Sequence, residues 1–315
     1  MEASAPRFGV APLARTLLPA FSLALVLAAI ATLNPFAISY MGFNLMLNLA
    51  IPIILATMAQ LFVITGNDLD LSIGSFIGFV CCVAATWLTT DPLLGAGILL
   101  GSIIVYALLG ALIHWRNLPS IVVTLGMSFV WQGLAVLVLP DPGGAAPEWL
   151  MTLMGFQPYF IPFPILAAIV VAAVTHFLLM GTSYGAILRA SGGNAAAVAR
   201  AGWSLLRIKM ALFALAGLFG ALSGLALIGI TTSGDANIGS GYTLLAIAGV
   251  ILGGGEFVGG RVSPIGAVMG ALTLSLASSS LLTFMQVPPD WQVAANGAIL
   301  IIVLAARALI NRRKA

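Results

Sequence analysis

The sequence predicts an all-α, polytopic membrane helical bundle of about ten transmembrane helices, forming a single transmembrane domain over residues 1–315. Hydrophobic residues make up 61% of the chain and charged residues only 7%, and the mean hydropathy is +1.14. Apolar windows bounded by charge or by Pro/Gly clusters repeatedly reach the ~20 residues that a helix needs to cross a hydrocarbon core of ~30 Å. The few cations also separate cleanly by side once those windows are laid out.

Taken in order, the first span, near 17–38, follows Arg7 and Arg15. A signal peptide ending at Ala29-Ile30-Ala31 is the alternative reading, but the apolar run exceeds the ~7–15 residues of a signal core and an even span count requires it. The second, 43–65, carries Asn44 and Asn48 one helical turn apart and then Gln60. The third, 72–90, contains adjacent Cys81 and Cys82, the two cysteines of the chain, which read as small apolar packing residues. The fourth, 93–115, ends on His114-Trp115-Arg116, an interfacial anchor; His176 sits near the end of the sixth span, and neither histidine has a metal-site companion in the sequence. The fifth runs over 120–139, the sixth over 161–180 and the seventh over 210–230. The eighth, 242–255, is short, and its separation from the ninth, 262–285, rests mainly on Glu256 and Arg261; the tenth is 291–310.

With the amino terminus inside, all 12 Lys and Arg fall on interior segments: Arg7 and Arg15, Arg116, the group Arg189, Arg200, Arg207 and Lys209, then Arg261, and finally Arg307, Arg312, Arg313 and Lys314. The exterior segments hold Asp91, Asp141, Glu148, Asp235 and Asp290 and no cation. That is the positive-inside pattern. The net charge of +3 therefore reports orientation rather than a nucleic-acid partner, and both termini are expected to be cytoplasmic.

Glycines recur at a spacing of four: Gly74/Gly78, Gly97/Gly101, Gly220/Gly224, Gly249/Gly253 and Gly266/Gly270. Small residues so placed let helices approach closely where no hydrophobic effect drives them together. Ser72 to Gly78 is echoed by Pro264 to Gly270; both stretches follow a break containing Gly and charge and both head outward, which suggests a parallel internal repeat.

Polar residues are scarce enough that each needs a reason. Asn44, Asn48 and Gln60 are candidates for lining a translocation pathway. Asp68 and Asp70 either face a cavity inside the bilayer, where a carboxylate is expensive, or sit with Ser72 at the cytoplasmic boundary and cap the next helix through its free N–H groups; the capping reading is preferred. Catalytic signals are absent. The stretch 254–263 resembles a phosphate loop only superficially, since the Gly-Lys-Ser/Thr ending is missing, so any ATP hydrolysis must happen on another subunit.

The interior loop from Gly181 to Lys209 concentrates four cations in an Ala- and Gly-rich sequence. Its segment from about Gly193 to Gly202 has the Ala content of a short helix, with Asn194 placed to cap it and with Ala196, Ala197, Arg200 and Ala201 on a small surface for a cytosolic partner. The bland alternative is a solvated basic loop that only enforces orientation.

Several stretches together carry a resemblance to a known family. The run from Ile64 to Ser75 resembles the Gly-Gly-Ile-Asp-Leu-Ser-Val-Gly-Ser signature of ribose/xylose-type ABC transporter permeases. Further matches follow in the same order: Leu118 to Gly126, Gly192-Gly193-Asn194 with Ala196, Ala197 and Ala201-Gly202, Gly239 to Gly254, and Gly259-Gly260. The resemblance covers nearly the whole chain. It departs at Asn67-Asp68, where the family usually has Gly-Gly, and at Glu256 and Arg261, which add charge to the second glycine-rich break.

The resemblance implies a permease subunit, not itself an enzyme and binding no cofactor, paired as a homodimer or heterodimer in a bacterial inner membrane. A cytosolic ATP-binding subunit would consume ATP, docking on the segment Gly193, Asn194, Ala196, Ala197, Arg200 and Gly202. An extracytoplasmic binding protein would deliver a pentose, a hexose or a polyol. Permeases for nucleosides or branched-chain amino acids are the near alternatives. An ion-coupled secondary transporter would need intramembrane acids or His beyond the Asp68/Asp70 region, and a membrane-embedded enzyme would need a polar constellation at one depth.

Overall fold

The computed structural model describes residues 10–286 and, beyond them, 291, 294, 297, 298 and 301. The helices are α1 (Val10–Leu33), α2 (Tyr40–Asn48), α3 (Ala50–Thr65), α4 (Ile73–Thr90), α5 (Pro92–Arg116), α6 (Ser120–Val138), α7 (Glu148–Met154), α8 (Phe163–His176), α9 (Ser183–Gly193), α10 (Ala195–Arg200), α11 (Leu205–Thr231), α12 (Tyr242–Leu252), α13 (Pro264–Ser275) and α14 (Leu282–Phe284). Wide π-type turns extend α8 through Phe177–Gly181 and α13 through Leu276–Leu281.

Most boundaries follow from the local sequence. Asp91 accepts the Leu94 N–H at 3.2 Å ahead of Pro92, which fits the first turn of α5, and Asn117 closes that helix in the left-handed region at φ 50°. Thr182, Ser204 and Ser263 cap α9, α11 and α13 in the same side-chain manner. The bend of 45° between α2 and α3 falls just before Pro52, which has no N–H to bond the Asn48 carbonyl and whose ring crowds it.

By length and composition, six helices among the described residues can cross a membrane, and the bent pair α2 and α3 makes a seventh. The count of ten spans is not reached by this measure. The tenth span, 291–310, lies outside the described residues except at five positions. The eighth, expected over 242–255, is corrected to the 11 residues of α12, which rise only ~16 Å and cannot cross ~30 Å unaided. The expected range was already short, and its last three residues, Gly253, Gly254 and Gly255, fall after the end of the helix.

Every residue of α3 is buried, making it the central post against which α11, α12 and α13 pack. The outer faces of α5 and α6 carry exposed Leu100, Ile104, Leu108, Phe129 and Leu137, the apolar exterior of a membrane bundle. Four of the five glycine ridges are closely packed. A methyl group at Gly74 or Gly78 would collide with the carbonyl oxygens of Gly239 and Ala236; at Gly266 or Gly270 it would collide with those of Gly253 and Gly249. The two echoed motifs thus do the same thing, each presenting a pair of glycines one turn apart to backbone carbonyls. Gly97 and Gly101 differ, since nothing lies within 4 Å of either position.

The bundle has two chemically distinct ends. At one, Gly143 and Gly234 form an isolated bridge, Ala145 and Ala146 donate to the carbonyls of Ala85 and Thr232 at 3.1 and 2.9 Å, and the segments bearing Asp91, Asp141 and Asp235 gather. At the other, Gly260 donates its N–H to the Thr65 carbonyl at 3.0 Å, bringing the segments of Arg189, Lys209 and Arg261 together.

Candidate functional site

The break between α3 and α4, residues 66–72, is sunk into the bundle and tied to four neighbouring helices. Non-helical backbone at membrane depth is tolerated only if its polar groups find partners, and here they do. Ser120 on α6 accepts the Leu69 N–H at 3.2 Å, and Thr124, one turn further, accepts the Leu71 N–H at 3.0 Å. Gln60, fully buried on α3, has its amide turned so that it donates to the Asp70 carbonyl at 3.1 Å and accepts the Asp70 N–H at 3.2 Å.

Asp70 itself has no exposed surface. One carboxylate oxygen accepts the Ser72 N–H at 2.7 Å and the Ser72 hydroxyl at 2.6 Å; the other accepts the Tyr106 hydroxyl of α5 at 3.1 Å. Ser72 and Tyr106 are themselves 3.1 Å apart. Asp70 is thus buried, and in taking the Ser72 N–H it accepts a free backbone N–H at the start of α4, as expected of a residue at this break; its partner Tyr106 lies ten residues before the end of α5 at Arg116, ~15 Å along that helix. Ser72 stands at the N-cap position just before α4 but makes no side-chain cap to it.

Asn67 adopts φ 61°, a left-handed conformation that Gly takes freely and Asn tolerates better than most residues. This explains why an Asn can stand where the resembling permeases usually have Gly. The next departure also has a partner, because Asp68 makes an ion pair with Lys209 of α11 at 2.7 Å. In the other break, Arg261 and Glu256 pair at 3.3 Å. Reversing one charge, as in Asp68→Lys or Lys209→Asp, is expected to lower transport, and the double exchange Asp68→Lys with Lys209→Asp to recover most of it. Uptake no better in the double variant than in the singles would show that the pair itself is unimportant.

The three amides proposed to line a pathway are not brought together. Asn44 is buried on α2 and donates to its own helix at the Tyr40 carbonyl; Asn48 reaches the Met154 carbonyl of α7 at 3.1 Å; Gln60 is committed to Asp70. The basic loop holds α10, with Asn194 accepting the Ala197 N–H at 3.0 Å. Gly193, Ala196, Ala197 and Arg200 are exposed, as is Gly202 at φ 86°, while Val198 turns inward as the anchor. The preceding Gly192 lies against the Thr65 carbonyl at the end of α3, so α9 and α10 are mechanically joined to the sunken break.

Sequence reasoning missed Tyr106 and the role of Lys209, and it met Ser120 and Thr124 only as members of the run Leu118 to Gly126, without the bonds they make to the break. It also missed Gln132 on α6, whose side chain donates to Asn237 at 2.9 Å; a lone amide inside an apolar span was the signal that could have found it.

A many-helix bundle with an apolar exterior, a buried polar break and a small-residue helix on one surface defines a multi-pass membrane transport subunit. The chain belongs to the family described as branched-chain amino acid transport system, permease component, whose model matches residues 42–304. It is 33% identical over 261 residues to the L-arabinose ABC transporter permease protein AraH of Azospirillum brasilense, covering 81% of this chain and 77% of that one. It is 30% identical over 308 residues to the ribose import permease protein RbsC of Bacillus subtilis, covering 94% and 92%. A probable ABC transporter permease protein, YphD of Escherichia coli, is 28% identical over 267 residues, covering 82% and 79%. No solved structure matches the chain.

Proposed function

We propose that this chain is the membrane-spanning subunit of an ATP-driven importer that passes a sugar, a pentose or hexose or a related polyol, through a paired assembly of permease chains in a bacterial inner membrane. The observation that carries the reading is the similarity to a ribose import permease across 94% of the chain. In this reading α10 faces the cytoplasm, because the end of the bundle that gathers Arg189, Lys209 and Arg261 is the cationic one, and both termini are assigned to the same side by their own cations, Arg7, Arg15, Arg307, Arg312, Arg313 and Lys314. A cytosolic ATP-binding subunit seats α10 in a groove and hydrolyses ATP; an extracytoplasmic binding protein supplies the solute to the opposite end. This chain supplies the passage and binds no cofactor.

Movement of α10 reaches the break through short links. Its exposed alanines fit a groove, Gly192 abuts the end of α3, and Lys209 joins α11 to Asp68 at 2.7 Å. A rigid lever of this kind transmits closure of the ATP-binding subunits to the bundle. Uptake of D-ribose and L-arabinose into vesicles carrying the whole transporter tests the reading: import that requires ATP and survives an uncoupler supports it, whereas import abolished by the uncoupler at constant ATP overturns it. Ala197→Glu should abolish ATP-dependent uptake and release the ATP-binding subunit while insertion continues. Normal co-purification and normal solute-stimulated ATP hydrolysis in that variant would remove α10 from the docking surface.

A further inference from the structure

Between α11 and α12 the chain does not cross the bundle as a helix. From Gly234 it runs down the side of α4: Gly234 lies against Ala85 and Cys81, Ala236 against Gly78, and Gly239 against Gly74, where the Gly74 N–H also donates to Thr243 at 2.9 Å. Gly74 is in the first turn of α4, immediately after the Asp70–Ser72–Tyr106 cluster. Tyr106 stands 10 residues from one end of α5 and 14 from the other, so this stretch reaches the middle of the bundle, ~15–20 Å from either end. It is built from turns, with Ile238, Ser240 and Tyr242 donating to the carbonyls of Asp235, Asn237 and Gly239.

Asn237, Ser240 and Gly241 are nevertheless exposed. Irregular backbone bearing amide and hydroxyl side chains is not stable against lipid; at this depth it faces protein or a water-filled cavity. The neighbouring surface of α6 is polar in register with it: Ser128 and Gln132 are one turn apart, and Gln132 donates to Asn237 at 2.9 Å. No Lys or Arg occurs from 233 to 252 or within α6.

We propose that Ser128, Gln132, Asn237 and Ser240 line the translocation passage and exchange hydrogen bonds with a neutral, polyhydroxylated solute, a role that rests on the importer reading for its cargo but not for its water access. Amides and hydroxyls offer donors and acceptors together, which matches a ring of hydroxyl groups and gives no advantage to an ion. The exposed Asn237–Gln132 bond gives way when solute hydroxyls replace it. Asp235 holds the turn in place by accepting the Asn237 N–H at 2.8 Å.

The test uses single cysteines in cells making the whole transporter, probed with a membrane-impermeant methanethiosulfonate. Native Cys81 and Cys82 are buried and give a low background. Ser240→Cys and Asn237→Cys should react and lose uptake on reaction, while Phe129→Cys, on the apolar exterior of the same α6, should not react. Absence of reaction at both 237 and 240 in normally folded protein overturns the proposal. So does spontaneous disulfide formation between two copies at these positions without labelling, which would make the face an interface between permease chains. As a second measurement, Gln132→Ala should raise the KM for uptake about fivefold, the loss of roughly one hydrogen bond, and an unchanged KM overturns the solute-binding role. Labelling in a transporter that imports no sugar would uphold the passage and sink the proposed cargo.

Discussion

Gly78→Leu is expected to give little folded protein, whereas Gly101→Leu, with the same change in bulk, is expected to behave like the parent. A side chain at Gly78 enters the space of the Ala236 carbonyl oxygen, backbone that cannot rotate out of the way. Overpacking of this kind is destabilising by ~1–3 kcal/mol or more, and here it also displaces the turns that run beside α4. Nothing lies within 4 Å of the corresponding position at Gly101. Monodisperse yield after detergent extraction, measured for both variants side by side, separates them. Equal yields would mean that the close approach of 236–239 to α4 is not needed for the fold.

The second large effect is expected at Asp70. Asp70→Ala removes the acceptor for the Ser72 N–H, the Ser72 hydroxyl and the Tyr106 hydroxyl, and a buried donor left unpaired costs about 1–3 kcal/mol. Tyr106→Phe deletes one donor together with its oxygen and leaves the carboxylate its two bonds from Ser72, so its effect should be near 1 kcal/mol. Thermal melting of the purified permease should therefore order the variants with Asp70→Ala far below Tyr106→Phe and Tyr106→Phe slightly below the parent. If Asp70→Ala melts with the parent, the buried cluster does not hold the break in place.

These residues also show how far a sequence alone reaches. Helices such as α5, α6 and α11 were legible because twenty apolar residues in a row have one physical solution in a bilayer. The cap at Asn194 is a local matter of residue type, and so was readable too. The bend at Leu49 was present in the sequence as Pro52 but was passed over as part of a continuous apolar run. What could not be read was depth. Whether Asp70 sits at a surface or inside depends on Tyr106 arriving from 36 residues away, and no pattern within 66–72 reports that. Gly97/Gly101 and Gly74/Gly78 likewise share a spacing, and only the presence of 236–239 beside one of them gives that spacing a use. The amides of α2 and α3 were candidates by residue type, and the partners each one meets, the carbonyls of Tyr40, Met154 and Asp70, could not be read from the sequence.

The short α12 has a consequence for how the protein is made. An insertion machinery that releases segments into lipid one at a time recognises ~20 apolar residues, and the stretch from Thr232 to Leu252 presents only 11 helical ones after a run of turns. It gains its partners from α4 at Gly74 and Gly78 and from α3 at Thr57, all synthesised more than 150 residues earlier. The ribosome therefore delivers this piece to a bundle that already exists, and its insertion is an act of tertiary folding rather than of partitioning into the membrane. Nascent chains halted before α13 should hold it poorly, since Ala267 and Ala271 form the remaining wall of its seat.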